Sequence, residues 1–151
     1  MPDETSKPYL GKRFPPDDPR EWLNRARSNL AKASIASETD VVYLEDLCFD
    51  AQQAAEKAIK AVLIHINVRF PYIHDLAQLL ALIEQAGEYV PASVGRAAAL
   101  SDYAVETRYP GLAEAVTWEE YEEALAIATA VVRWAEAMIG REVGEESQDE
   151  G

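Results

Sequence analysis

Residues 44–66 read LEDLCFDAQQAAEKAIKAVLIHI and carry the strongest periodic pattern in the chain. Apolar side chains recur every three or four positions for about six turns, which is the spacing of one face of an α-helix. The sequence therefore predicts a long helix over about residues 43–67. Its contact face is rich in alanine, which lets neighbouring helices approach closely, so we expect this helix to be the central element.

Other helical patterns lie on both sides of this one, and no stretch is a convincing strand. Asp17 or Asp18 before Pro19 matches the start of a first helix, and Thr117 followed by Glu120 has the capping-box spacing that opens the last one. The additional helices are predicted at about residues 18–37, 75–86, 92–107 and 117–141.

The order of these helices predicts an all-α fold, an antiparallel bundle of four to five helices joined by short loops. We expect the bundle to occupy residues 17–141. Residues 1–16 contain four prolines without periodicity and are predicted as an extended N-terminal arm, while residues 142–151 (EVGEESQDEG) are predicted as a disordered acidic tail.

The chain of 151 residues has 14 Lys plus Arg against 27 Asp plus Glu, a formal charge of −13. Such a charge argues against broad, nonspecific attraction to nucleic acid or to anionic membranes. No apolar run approaches the roughly 18 residues of a membrane span, and no N-terminal apolar stretch resembles a secretory signal. We therefore expect a cytoplasmic protein that does not act at a membrane.

The sequence contains no glycine-rich phosphate-binding motif and no cluster of Cys and His with metal-ligand spacing. Cys48 lies on the apolar stripe of the long helix, where a buried structural thiol is the favoured interpretation. We therefore expect neither a metal nor a cofactor. His65 lies near the end of the same helix and is interpreted as a surface or capping residue.

Arg69 and His74 are separated by four residues in RFPYIHD, where Pro71 forces the chain to turn after the long helix. A guanidinium and an imidazole that converge on one phosphate would suffice for metal-independent RNA cleavage, with the histidine moving a proton. In the structural alternative, His74 or Asp75 caps the third helix and Arg69 pairs with a carboxylate. The spacing alone leaves both interpretations open.

A second polar cluster occupies the end of the fourth helical pattern. Asp102 and Glu106 are four residues apart and share a helix face, where a solvated surface is favoured over a metal site. Arg108 and Tyr109 precede Pro110 in a turn and offer a guanidinium and a phenol. These groups suit a phosphate or base contact, or equally a salt bridge and a core aromatic.

Three strings in the chain resemble the HEPN domain family of prokaryotic proteins. They are LCFDAQQAAEKAIK at residues 47–60, HDL at residues 74–76 and YAVETRYP at residues 103–110. The resemblance implies a small dimeric helical domain that is commonly encoded beside a minimal nucleotidyltransferase and acts with it as a toxin–antitoxin pair. Many members are metal-independent ribonucleases in which a dimer brings together two Arg-x4-6-His motifs, and Arg69 with His74 has that spacing.

The chain also departs from the ribonuclease members of that family. Arg69 is followed by Phe70 and Pro71 rather than by a polar residue, and no histidine follows Arg108 within six positions. Leu76 occupies the position at which silenced members carry a modifiable tyrosine.

Two hypotheses follow from the residues and from this resemblance. In the first, the protein is a toxin-antitoxin component that binds a nucleotidyltransferase, and a nucleotide or RNA, without cleaving it. The site residues are then His74, Asp75, Arg108 and Tyr109. In the alternative, the protein is a metal-independent endoribonuclease in which Arg69 and His74 are catalytic. Both predict a homodimer, for which the apolar long helix and the aromatic residues of the last helix offer surface.

Overall fold

The structure of the protein is a computed structural model that describes residues 9–103 and 115–149, with side chains described up to residue 140 in the second range. Within these residues five α-helices and two 3₁₀ segments are present, and no strand. The predicted all-α bundle is confirmed. The α-helices are α1 (Pro19–Ala33), α2 (Leu44–His65), α3 (Leu76–Gln85), α4 (Ala92–Gly95) and α5 (Trp118–Asp149), and the 3₁₀ segments are Ser34–Glu38 and Arg96–Tyr103.

Side chains cap three of the helices as the sequence predicts. Of the two candidates before Pro19, Asp18 is the N-cap of α1, where its carboxylate accepts from the backbone N–H of Arg20. Asp75 rather than His74 caps α3. At α5 the capping box forms in both directions: the Thr117 hydroxyl accepts from Glu120 N–H, and the Glu120 carboxylate accepts from Thr117 N–H, each at 3.1 Å.

The predicted fourth helix is wrong as a single α-helix over residues 92–107. It is an α-helical turn followed by a 3₁₀ segment as far as Tyr103, and residues 104–107 lie outside the described residues. The sequence pattern accounts for the 3₁₀ segment. Its buried or partly buried positions repeat every three residues, at Val94, Ala97, Leu100 and Tyr103. Three residues per turn is the period of a 3₁₀ helix.

The last helix also differs from its predicted extent. The backbone of α5 continues to Asp149, through most of the residues 142–151 predicted as a disordered tail. Most of residues 141–149 have good intrinsic helix propensity. The acidic composition of this segment was therefore not a reason to predict that the helix ends at residue 141.

Helix α2 is the centre of the bundle, since it packs against α1, α3, α5 and the 3₁₀ segment Arg96–Tyr103. Its large side chains such as Ile59 and Leu63 are fully buried, and each contributes about 1.5–3 kcal/mol by leaving water. Cys48 is buried on the same helix, as predicted. The alanines of α2 bring its neighbours close, and those that are completely buried are Ala51, Ala54, Ala55, Ala58 and Ala61.

The described part of the N-terminal arm lies along α1. The backbone N–H of Phe14 donates to the Glu21 carboxylate at 2.9 Å, and the Asn24 amide donates to the carbonyl of Lys12 at 2.9 Å. The Trp22 indole N–H donates to the carbonyl of Pro16 at 2.7 Å. These contacts hold the end of the arm beside the first turns of α1.

In the part of the chain that the structure describes, no helix combines the length and the apolar character that crossing a membrane requires.

The start of α5 is fixed to the end of α1 by a buried tyrosine. Tyr121 is 3% exposed and its hydroxyl donates to the carbonyl of Ala33. Burial raises the pKa of Tyr121, so the phenol stays protonated and able to donate.

We predict that Tyr121→Phe lowers the free energy of unfolding by about 1–2 kcal/mol, because the carbonyl of Ala33 loses its buried donor. Urea unfolding followed by circular dichroism measures the change. Tyr89→Phe is the matched control, since Tyr89 is 79% exposed and the same substitution there should be neutral. Equal stabilities of the two variants would contradict this role for Tyr121.

Candidate functional site

Three polar side chains are buried on one face of α2. Gln52, Glu56 and Lys60 follow one another at intervals of four residues and are 0%, 4% and 3% exposed. Charged side chains are almost never this deeply buried unless they are paired. These three side chains therefore need partners. They bind one another, and they also bind a residue of the connection between α2 and α3.

The carboxylate of Glu56 is the centre of this row. Gln52 Nε2 donates to Glu56 Oε1 at 3.2 Å, and Lys60 Nζ donates to Oε2 at 3.1 Å. Gln52 itself accepts from Gln53 Nε2 at 2.8 Å. Both oxygens of the carboxylate are thus engaged before any residue outside α2 is considered.

The third partner of Glu56 is His74, which lies in the connection between α2 and α3. His74 Nδ1 is 3.0 Å from both carboxylate oxygens. Because a carboxylate without its proton only accepts, Nδ1 carries the hydrogen and donates it. The side chain of His74 is 51% exposed, so a buried acid fixes the orientation of a histidine at the surface and leaves Nε2 available.

The connection over residues 67–75 is held by backbone contacts at its start. Asn67 has φ of 60°, a left-handed conformation that ends α2, and the N–H of Val68 returns to the carbonyl of Leu63 at 2.9 Å. The N–H of Ile73 donates to the carbonyl of Pro71 at 2.8 Å. The chain therefore turns back along α2, and His74 reaches Glu56 from there.

Aromatic rings surround the ammonium group of Lys60. Its Nζ lies 6.0 Å from the ring centroid of Trp22, 5.8 Å from that of Phe70 and 5.6 Å from that of Tyr72. Each ring face attracts the cation, which adds to the ion pair with Glu56. Tyr72 also meets His74 edge to face at 5.2 Å, and its side chain is among the most exposed in the molecule.

The other site residues predicted from the sequence do not take part in this hydrogen-bond network. Arg69 is exposed on the same connection as His74, but no hydrogen bond or ion pair links it to His74 or to any other described residue. Asp75 caps α3 and accepts from Gln78 Nε2 at 3.1 Å. Arg108 and Tyr109 lie outside the described residues.

Glu56 and Lys60 were not predicted as site residues, although a signal for them exists in the sequence. In DAQQAAEKAIKA a glutamine, a glutamate and a lysine stand four residues apart within a helix that is otherwise apolar on most sides. A polar row inside a central helix indicates a buried network. What the sequence lacks is the identity of the outside partner, His74.

No group of three or more His, Cys, Asp or Glu side chains suited to a metal ion occurs among the described residues. Of the acidic pair considered from the sequence, Asp102 is exposed and Glu106 lies outside the described residues.

Comparisons with known proteins agree with this architecture. The family model of the HEPN domain matches residues 19–138. The crystal structure of an archaeal HEPN homologue is similar at 26% sequence identity, with a TM-score of 0.62, and the match covers 81% of this chain and 98% of that one. A search of curated proteins finds no match.

We predict that Glu56→Ala lowers the free energy of unfolding by about 3–5 kcal/mol, because it leaves the ammonium of Lys60 buried without a counter-charge. Chemical denaturation measures the loss. Adding Lys60→Met to this variant should recover part of it.

The control for that variant is Glu123→Ala, which breaks the exposed ion pair with Arg96 and should cost no more than about 1 kcal/mol. A Glu56→Ala variant that is no less stable than Glu123→Ala would show that the buried pair does not organise this site.

Proposed function

Because this chain belongs to the HEPN domain family, we propose that it is a binding module that holds a nucleotide, or the phosphate of an RNA, and pairs with a nucleotidyltransferase. We further propose that the two proteins form a toxin–antitoxin type pair in the cytoplasm. The ligand site is the surface of the connection 67–75, and it includes His74, Arg69 and Tyr72.

The observation that carries the proposal is the contact between Glu56 and His74. The contact completes the hydrogen bonds of the buried Glu56 carboxylate, and it also fixes the orientation of a histidine that faces solvent. Here the imidazole is fixed through Nδ1 at 3.0 Å, half of it stays exposed, and Nε2 is left for a ligand. Fixing a group in advance lowers the entropy cost of binding.

Two neighbours supply the remaining chemistry of a nucleotide site. Arg69 is exposed on this connection, and a guanidinium suits a phosphate because it can donate two parallel hydrogen bonds. Tyr72 is 89% exposed and can stack on a base. Asp75, Arg108 and Tyr109 remain predicted contributors to the same site.

The charge of the molecule supports pairing with a protein rather than with long nucleic acid. Exposed glutamates crowd the first turns of α5, and the net charge is −13. Such a surface attracts a partner with a basic face and repels a phosphate chain away from its local binding site. Trp118, 47% exposed at the start of α5, offers apolar area to that partner or to a second copy in a homodimer, whereas Tyr121 is already buried within one chain.

A second candidate function, a metal-independent endoribonuclease, is favoured by the same contact. A histidine whose Nδ1–H is held by a carboxylate presents Nε2 as a base that can accept the proton of a ribose 2′-hydroxyl. Arg69 would then stabilise the phosphate, and the His74 of a second subunit would protonate the leaving oxygen. We rank it second because no hydrogen bond or ion pair links Arg69 to His74 in the described chain, and because the −13 charge of the molecule opposes RNA binding.

We predict that the protein binds AMP in calorimetry and that His74→Ala weakens this binding by about tenfold or more, a loss of about 1.4 kcal/mol. Arg69→Gln and Tyr72→Ala should each weaken it as well, through the phosphate and the base. Arg96→Gln and Tyr89→Ala are the matched controls, since both residues are exposed and lie in other segments.

Unchanged AMP binding by the folded His74→Ala variant would rule out this site. Cleavage of total RNA in EDTA by the wild type, lost in His74→Ala, would replace the binding module by the ribonuclease. The proposed complex is tested by coexpressing the protein with a nucleotidyltransferase that is encoded beside it. If the two proteins do not copurify, the proposed pairing is wrong, but the proposed ligand site is not affected.

A further inference from the structure

A concave site lies between the N-terminal arm, α1 and α2. It is a pocket of about 270 Å³ lined by Pro16, Glu21, Trp22, Arg25 and Lys57. None of these residues lies in the connection 67–75, although Trp22 also contacts Lys60 with its ring. The indole of Trp22 is fixed by its hydrogen bond to the carbonyl of Pro16, and together these residues give the pocket a flat apolar wall.

The acidic residue of the pocket is already neutralised. Glu21 accepts from the backbone of Phe14 at 2.9 Å and from Arg25 Nε at 3.0 Å, and these contacts hold the pKa of Glu21 below its usual value, the backbone bond contributing most. Only Nε of the Arg25 guanidinium is used in that pair, and its side chain is 59% exposed. Arg25 therefore keeps donors for another anion.

Lys57 brings a positive charge to the pocket and forms no ion pair with any described carboxylate. Its Nζ donates to the neutral amide oxygen of Asn29 at 2.7 Å, which uses one of three N–H groups. Burial lowers the pKa of Lys57, and the charges of Lys32 and Arg25 act in the same direction, while those of Glu56 and Asp50 oppose them in part. Lys32 itself pairs with Asp50 at 3.3 Å. An added anion would relieve this field.

We propose that this pocket binds a small organic anion made of one flat ring and a phosphate group, with the ring on Trp22 and the phosphate on Lys57 and Arg25. The charge of Lys57 is not balanced by Glu21, which pairs with Arg25, and a phosphate has enough acceptor oxygens to bind both Lys57 and the remaining donors of Arg25. The volume of about 270 Å³ lies just below the usual range for ligand pockets, which favours a ligand as small as one ring and one phosphate.

The test is isothermal titration calorimetry with phenyl phosphate. The wild type should bind it about tenfold or more tightly than it binds phenol or inorganic phosphate, because the site needs both parts. Lys57→Gln and Trp22→Ala should each weaken the binding by about tenfold, and Trp22→Phe, which keeps a flat ring, should weaken it less.

Matched variants separate the pocket from general charge effects. Arg25→Gln and Arg96→Gln remove arginines that are 59% and 60% exposed, each paired with one glutamate, but only Arg25 lines the pocket. Only Arg25→Gln should lose affinity. Because this residue is exposed, the variant keeps the test informative even if Lys57→Gln does not fold.

In the His74→Ala background, phenyl phosphate should still bind and the binding should still be weakened by Arg25→Gln, because the pocket lies outside the connection 67–75. Loss of binding in His74→Ala would instead assign the anion to the surface of the connection 67–75 and overturn the pocket. No measurable binding by the wild type, or equal affinity of Arg25→Gln and Arg96→Gln, would overturn it as well. A failed AMP test leaves these outcomes unaffected, so the two proposals fail separately.

Discussion

The ion pair between Glu56 and Lys60 is the constraint from which the arrangement of the site follows. Both side chains lie on the most buried helix of the bundle and are less than 5% exposed. Removing two charges from water costs several kcal/mol per ion, and their mutual attraction offsets that cost only if further hydrogen bonds complete the pair. Gln52 supplies one of these bonds and His74 the other. The connection after α2 must therefore lie over the pair.

Because the connection lies over the ion pair, aromatic rings from two segments surround Lys60. The rings of Phe70 and Tyr72 cover the ammonium of Lys60 from the connection, and Trp22 covers it from α1. Lys60 thus stands between two surfaces, the exposed His74 on one side and, through Trp22, the pocket lined by Lys57 on the other. The two proposed anion sites thus lie on either side of one buried ion pair in a molecule with a net charge of −13.

The sequence predicts much of this fold because its signals are local. Periodicity located the long helices, and short-range capping chemistry located the starts of α1, α3 and α5. The 3₁₀ segment Arg96–Tyr103 was missed because its threefold spacing was interpreted within a 3.6-residue pattern. The site was predicted less well, since the contact between Glu56 and His74 spans 18 residues and depends on how a loop packs on a helix. The spacing of Arg69 and His74 along the chain likewise does not determine the distance between their side chains.

The most direct test of the central claim is the tautomer of His74, measured by long-range ¹H–¹⁵N correlation spectroscopy of the imidazole rings at a pH where they are neutral. His65 is the other histidine and serves as the internal reference. The hydrogen bond to Glu56 predicts that His74 carries its proton on Nδ1 and that Glu56→Ala abolishes this preference. A proton on Nε2 in the wild type, or a tautomer unaffected by Glu56→Ala, would contradict the account.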